Sequence, residues 1–155
     1  MNFEELMLRA VTNAETFKYT AKPNPVVGAI LCNDNEIISE GYHEIYGSNH
    51  AEINAISNAR KHQGKKFNNF SELALVCTLE PCSHVGKTGS CAEQIVETGI
   101  KKVVIGSIDP NPKVAGKGIE ILKKNGIDVT VGIHEDIVKN QNKYLSLIHI
   151  SEPTR

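Results

Sequence analysis

Apolar residues recur in this chain with two different periods, and the alternation between those periods sets out a fold. Phe3, Leu6, Met7, Ala10, Val11, Ala14 and Phe17 fall at spacings of three and four, the pattern of a helix that lays one face on a core. Pro23-Asn24-Pro25 ends that helix, because a proline disfavours helical backbone in the residue before it. Val26–Cys32 then reads as a buried strand, Asn33-Asp34-Asn35 as a turn, and Glu36–Tyr42 as the hairpin partner. From Ala51 to Lys61, the residues Ala51, Ala55, Ile56 and Ala59 share one side and predict a second helix. The polar stretch Lys61–Ser71 reads as a surface loop, and the unbroken apolar run Leu73–Leu79 as a central strand.

Pro81 suits the first turn of a helix, where its missing N–H costs nothing. Ser90-Cys91-Ala92-Glu93 has the form of a capping box, and Gly99 closes the helix it opens. Lys102–Ile108 predicts another strand, Gly118–Asn125 a helix ending at Gly126, and Ile127–Val131 a last strand. After the opening hairpin, strands and helices alternate. That order predicts an α/β fold, with helices on both faces of a mixed central sheet.

The chain has 155 residues, 40% of them apolar and 23% charged, which suits one domain with a real core. Its net charge of -1 offers no field to attract nucleic acid or an anionic membrane. No stretch is long and apolar enough to span a bilayer, and Glu4, Glu5, Arg9 and Glu15 exclude a signal sequence at the start. A cytoplasmic location is therefore expected. There, four cysteines point to metal binding or catalysis sooner than to disulfides. Cys32 and Cys77 lie inside apolar runs and read as small buried hydrophobes.

The chemistry concentrates in three short pieces: His50-Ala51-Glu52, Pro81-Cys82 and Cys91. One imidazole and two thiolates make a Cys₂His donor set, which leaves a tetrahedral zinc one open position for water. Glu52 stands beside that position as a group to take and return the water's proton. Both cysteines are expected at helix N-termini, which favour the thiolate. Residues i and i+2 do not share a face of a helix, so His50 must lie at the helix mouth, with Gly47-Ser48-Asn49 as its cap. The alternatives are three unrelated core or surface residues, or a structural zinc with His84 as fourth ligand. The His-x-Glu plus Pro-Cys arrangement resembles the signature of zinc-dependent nucleobase deaminases. Its cysteines differ in having eight residues between them instead of two.

Further matching stretches carry a narrower resemblance. They are Pro23-Asn24-Pro25-Val26-Val27-Gly28, Gly41-Tyr42-His43, Leu79-Glu80-Pro81-Cys82-Ser83-His84, Gly86-Lys87-Thr88 before Cys91, and Asp109-Pro110-Asn111-Pro112 with Val114-Ala115-Gly116-Lys117-Gly118. In these the chain resembles the deaminase domain of bacterial riboflavin biosynthesis, within the cytidine-deaminase-like superfamily. The long gap between the cysteines is particular to that branch. The resemblance implies a three-layer α/β/α sandwich and one zinc per chain on His50, Cys82 and Cys91, with Glu52 as catalytic acid and base. It implies Asn24, His43, His84, Lys87, Thr88, Asp109 and Asn111 around the substrate. That substrate would be 2,5-diamino-6-(5-phosphoribosylamino)pyrimidin-4(3H)-one, whose ring C2 amine is replaced by water. Association of copies through the sheet-flanking helices is common in the fold.

Each substrate residue also has a plainer role open to it: Lys87 as a solvated lysine, His43 as a strand-end histidine, Asp109 and Asn111 as shapers of the turn between the prolines. Two look-alike motifs fail. Five residues before Gly86 stands Pro81, which a P-loop does not allow, and Ile121 occupies the third glycine position of a dinucleotide fingerprint.

The chain departs from the family where Gly89-Ser90 replaces a usual pair of prolines. Residues 1–144 are expected to form the deaminase domain. The reductase domain that usually follows is not expected, nor is NADPH. Residues 145–155 fall outside the resemblance and look like a translated read-through, so His149 carries no functional weight. The competing readings are a nucleoside or tRNA deaminase and a non-catalytic, zinc-stabilised fragment. The cysteine gap and the lack of basic charge speak against the first.

Overall fold

Helix α1 (Phe3–Ala14) starts from Asn2, whose side-chain oxygen accepts the Glu4 amide and so caps the first turn. A single 3₁₀ turn, Glu15–Phe17, extends it. The computed structural model describes residues 2–22, 25–45, 48–63, 70–83 and 90–142. Strands β1 (Gly28–Cys32) and β2 (Ile37–Tyr42) form the hairpin, and α2 (Ala51–Gln63) leads into β3 (Ala74–Leu79). There follow α3 (Cys91–Thr98), β4 (Lys102–Ser107), α4 (Lys117–Lys124) and β5 (Asp128–Val131). The sheet order is β2-β1-β3-β4-β5. Strand β1 runs antiparallel to both neighbours, while β3, β4 and β5 are parallel.

Successive strand residues point to opposite faces, and both faces here are apolar. Ala29, Leu31, Leu75, Cys77, Val103 and Ile105 bury against α2, α3 and α4. Ile30, Cys32, Val76 and Val104 bury against Leu6, Met7 and Ala10 of α1. This is the expected three-layer α/β/α sandwich with a mixed sheet. Cys32 and Cys77 are buried, as their apolar runs imply.

Helix α2 sits very close to the edge strand. A Cβ at Gly41 would lie 2.2 Å from the Ala55 nitrogen and 2.3 Å from the Ala51 oxygen, so only glycine admits the helix there. His43 donates its amide to Val27 oxygen, a register that turns the Glu40 and Tyr42 carbonyls away from β1. Asn58 and Asn54, one helical turn apart, donate their side-chain amides to those carbonyls at 2.8 and 2.7 Å. The open side of β2 is thereby closed by its own helix.

Two expectations need correction. Residues 81–83 are not helical: Glu80 still donates its amide to Ser107 oxygen, and α3 begins only at Cys91. Pro81 thus uses its missing N–H at a strand end, and Cys82 does not stand at a helix N-terminus. The pattern also missed a helix over residues 135–142, here α5, whose buried positions Val138 and Gln141 are too few and too mixed to register. Gln141 donates to Val11 oxygen at 2.7 Å, while Asn142 accepts the Val26 amide at 2.8 Å and donates to its carbonyl at 3.4 Å. Gln141 and Asn142 thus tie α5 to α1 and to the segment before β1. Other boundaries agree to within a residue or two, and the capping box Ser90/Glu93 with left-handed Gly99 is present. The tail 145–155 and most of the polar loop lie outside the described residues.

On the α1 side, Arg9 clasps Glu40 through Nε at 2.8 Å and an Nη at 2.9 Å, and Tyr42 donates its hydroxyl to the same carboxylate at 2.7 Å. The Arg9 hydrogen bond holds the Glu40 carboxyl below the usual carboxylate range, against the opposing effect of burial. A depressed acid stabilises the fold above its unfolded pKa and loses that contribution as pH falls through the folded one. We expect Glu40→Gln to cost about 1 kcal/mol at pH 7, since the pair is partly exposed. Urea melts from pH 7 downward should show the gap between the two proteins closing below about pH 4.5. A gap independent of pH would mean that Glu40 acts only through its shape.

Candidate metal centre and active-site cavity

The three chemical pieces of the sequence meet where β3 ends and α2 and α3 begin. His50 precedes α2, and its carbonyl accepts the Asn54 amide at 3.0 Å, which makes it the N-cap. Placing His50 at the helix mouth lets it share a site with Glu52, the second residue of the helix. The cap itself differs from expectation: Ser48 bonds back to Ile45, and Asn49 offers its carbonyl to His43 and Asn54. Cys82 follows β3 by three residues, and Cys91 is the first residue of α3. The Cys91 amide donates to Cys82 Sγ at 3.4 Å, so the α3 N-terminus serves Cys82 although Cys82 lies outside the helix.

His50 Nδ1 lies 3.2 Å from Cys91 Sγ and 3.7 Å from Cys82 Sγ, and all three donor atoms fall within 4.8 Å of one another. A tetrahedral zinc with ordinary bond lengths sets nitrogen and sulfur about 3.6 Å apart. The donor set fits zinc in spacing and in chemistry. From the protein's own groups alone, a hydrogen bond from Cys91 pulls the Cys82 thiol down to about 4, with His50 and the Cys91 amide adding to it. Cys91, as the donor in that bond and buried, is pushed up, and the bond to Cys82 raises His50. The three atoms thus share protons across the space that a cation would fill.

Glu52 is 3% exposed, and burial raises its carboxyl to about 7, with the Cys82 charge adding to the rise. It lies on the wall of a cavity of about 170 Å³ with His43, His50, Glu80, Cys82 and Asp109 as polar lining and Pro25, Val27, Leu79 and Pro110 as apolar lining. His43 is 2% exposed and sets Nδ1 3.2 Å from the Asn49 carbonyl, which fixes a proton on that nitrogen. Burial lowers its pKa, and the edge-on ring of His50, 5.4 Å away, lowers it further. His43 is therefore neutral and oriented.

Asp109 and Asn111 both shape the turn: Asp109 accepts the Asn111 amide at 2.9 Å, and Asn111 accepts the Lys113 amide at 3.0 Å. Of the two, Asp109 lines the cavity, whereas Asn111 is exposed. Asn24, His84, Lys87 and Thr88 lie outside the described residues. Glu80 was missed as a site residue, although its place directly before Pro81-Cys82 was visible. Its carboxylate is buried and takes three backbone amides, from Asp109 of the cavity lining and from Gly116 and Ile119 at the start of α4.

Residues 1–107 match the family model described as the cytidine and deoxycytidylate deaminase zinc-binding region. The chain belongs to this family of zinc-binding deaminases. It is 43% identical to the diaminohydroxyphosphoribosylamino-pyrimidine deaminase of Buchnera aphidicola from Schizaphis graminum, over 88% of each chain. It is 39% identical to the riboflavin biosynthesis protein RibD of Escherichia coli, over 92% of this chain but 37% of that one. The structure superposes on the deaminase/reductase of Thermotoga maritima with a TM-score of 0.84 and 40% identity, covering 97% of this chain and 42% of that one. Within its family, the chain groups with the diaminohydroxyphosphoribosylaminopyrimidine deaminases of riboflavin biosynthesis. It spans about two-fifths of the two longer proteins.

We expect His50→Ala, Cys82→Ser and Cys91→Ser each to weaken zinc binding by about 100-fold or more, beyond what loss of a residue that merely orients a ligand costs. Cys32→Ala, across the sheet, should leave it unchanged. Competition with a chromophoric chelator reads both, and full affinity in any of the three variants removes that residue from the donor set.

Proposed function

We propose that the chain catalyses the zinc-dependent hydrolytic deamination of 2,5-diamino-6-(5-phosphoribosylamino)pyrimidin-4(3H)-one, giving 5-amino-6-(5-phosphoribosylamino)uracil and ammonia. The observation that carries this reading is a buried carboxylate, Glu52, on the wall of a cavity that also exposes His50 and Cys82 of the Cys₂His cluster. The names of the relatives supply the substrate class. The unit responsible is residues 1–144, with one zinc per chain on His50, Cys82 and Cys91.

The reaction forms a bond from a water oxygen to ring C2 and breaks the bond from C2 to its amine. His50, Cys82 and Cys91 would hold a zinc ion, which would supply the Lewis acidity that lets water ionise near neutral pH. Glu52 takes one proton from the water and gives it to the ring nitrogen, then takes the second from the oxygen now bonded to C2 and gives it to the departing amine. A carboxyl raised toward neutrality by burial suits that double task, because neither protonation state is strongly disfavoured. His43, oriented by its bond to the Asn49 carbonyl, stands on the cavity wall against the pyrimidine. The cavity is smaller than the roughly 300 Å³ of a typical small-molecule site, so it takes the ring and leaves the ribose phosphate to the mouth. By resemblance to the family, Lys87, Thr88, Asn24 and His84 contact the substrate. Lys87 provides a flexible positive charge for the phosphate.

Glu52→Gln should keep zinc and fold while ammonia release from the diaminopyrimidine phosphate drops by about 100-fold or more. An inert wild-type protein, loaded with zinc and given the same substrate, would sink the assignment. For Lys87→Ala, we expect a larger loss in kcat/KM on the phosphorylated substrate than on its dephosphorylated form. Equal losses on the two would remove the phosphate role.

A further inference from the structure

Glu80 closes a gap in the hydrogen bonding of α4. The N-cap of that helix is Gly116, which has no side chain and sits at φ 85°, so the helix lacks a cap of its own. Glu80 supplies one from β3: Oε1 accepts the Gly116 amide at 2.9 Å, and Oε2 accepts the Ile119 amide, third in the helix, at 3.1 Å. Those are the two amides that a capping box within one helix would satisfy. The same Oε1 also accepts the Asp109 amide at 3.1 Å, at the other end of the connection from β4. Close packing reinforces the clip. A Cβ at Gly118 would fall 1.9 Å from the Pro81 carbonyl oxygen, so the start of α4 is pressed against the segment between Glu80 and Cys82.

One buried carboxylate therefore ties together two chain segments that line the cavity. On its own side, Pro81 and Cys82 follow directly in the chain; on the other stand Asp109 and Pro110. We propose that Glu80 is a positioning residue for the deamination, holding Asp109 in fixed register with the Cys82 side of the site. This rests on the function proposed above for the same cavity. Glu80 itself moves no proton. It acts through Asp109 on how the substrate is held, so its loss should weaken binding more than turnover.

The experiment is a steady-state comparison of zinc-loaded Glu80→Ala, Glu80→Asp and Glu80→Gln, with zinc content measured on each. Glu80→Gln keeps an oxygen that can hold the Asp109 and Gly116 amides, and its KM should stay within about threefold of wild type. Glu80→Asp is too short to reach, and Glu80→Ala has nothing to offer. Both should raise KM about tenfold or more with kcat little changed and zinc retained. Combining Glu80→Ala with Asp109→Ala should raise KM by less than the product of the single effects. If Glu80→Ala does not fold, Glu80→Asp carries the test.

An unchanged KM in Glu80→Asp, or a parallel loss of kcat and zinc, overturns the proposal. Backbone amide exchange gives a readout independent of turnover. At Asp109, Gly116 and Ile119, it should speed up at least about tenfold in Glu80→Asp. Unchanged exchange rejects the clip even if the substrate assignment stands. Faster exchange in Glu80→Asp, alongside a wild-type protein inert on the substrate, supports the clip and rejects the assignment.

Discussion

Three acids share one poorly solvated space in this protein, and the rest of the site follows from what it takes to keep them there. Charge on Cys82 pushes up both Glu52 and Cys91, and charge on Glu52 pushes up Cys91, while the hydrogen bond from Cys91 draws Cys82 down. A single imidazole cannot balance three anions in a low dielectric. A divalent cation can, and two thiolates with one nitrogen are the donors zinc prefers. The fold supplies the remaining compensation. The α3 N-terminus gives its Cys91 amide to Cys82, α2 begins directly after His50, and β3 delivers Cys82 to the same place.

Holding such a cluster together demands close approach between elements that are far apart in sequence. Gly41 lets α2 lie on β2 without an intervening side chain, and Gly118 does the same for α4 against Pro81. Asn54 and Asn58 then fix α2 along the strand edge. His43, His50 and Glu52 all belong to the stretch that this contact anchors, so the position of the Glu52 carboxylate is set by backbone packing as much as by its own bonds.

Periodicity made the central strands and the four main helices legible, because their apolar positions are buried. Spacing and residue type likewise revealed His50, Glu52, Cys82 and Cys91, since few other chemistries need those donors beside that carboxylate. What escaped the sequence has physical reasons. Pro81 reads equally well as a helix start or a strand end, and only the pairing of Glu80 with Ser107 decides. Helix α5 buries little more than Val138 and Gln141, and its hold on the rest comes from amide side chains, which carry no periodic signal. Glu80 looked like an ordinary motif residue because its partners are backbone amides, which are invisible in residue identities.

Asn142 pairs with both backbone groups of Val26, and Val26 stands between Pro25 and Val27, two residues of the cavity wall. The late and early parts of the chain are thus spliced at the pocket itself. A change in the backbone at residue 142 therefore bears on the segment that carries Pro25 and Val27 into the cavity wall.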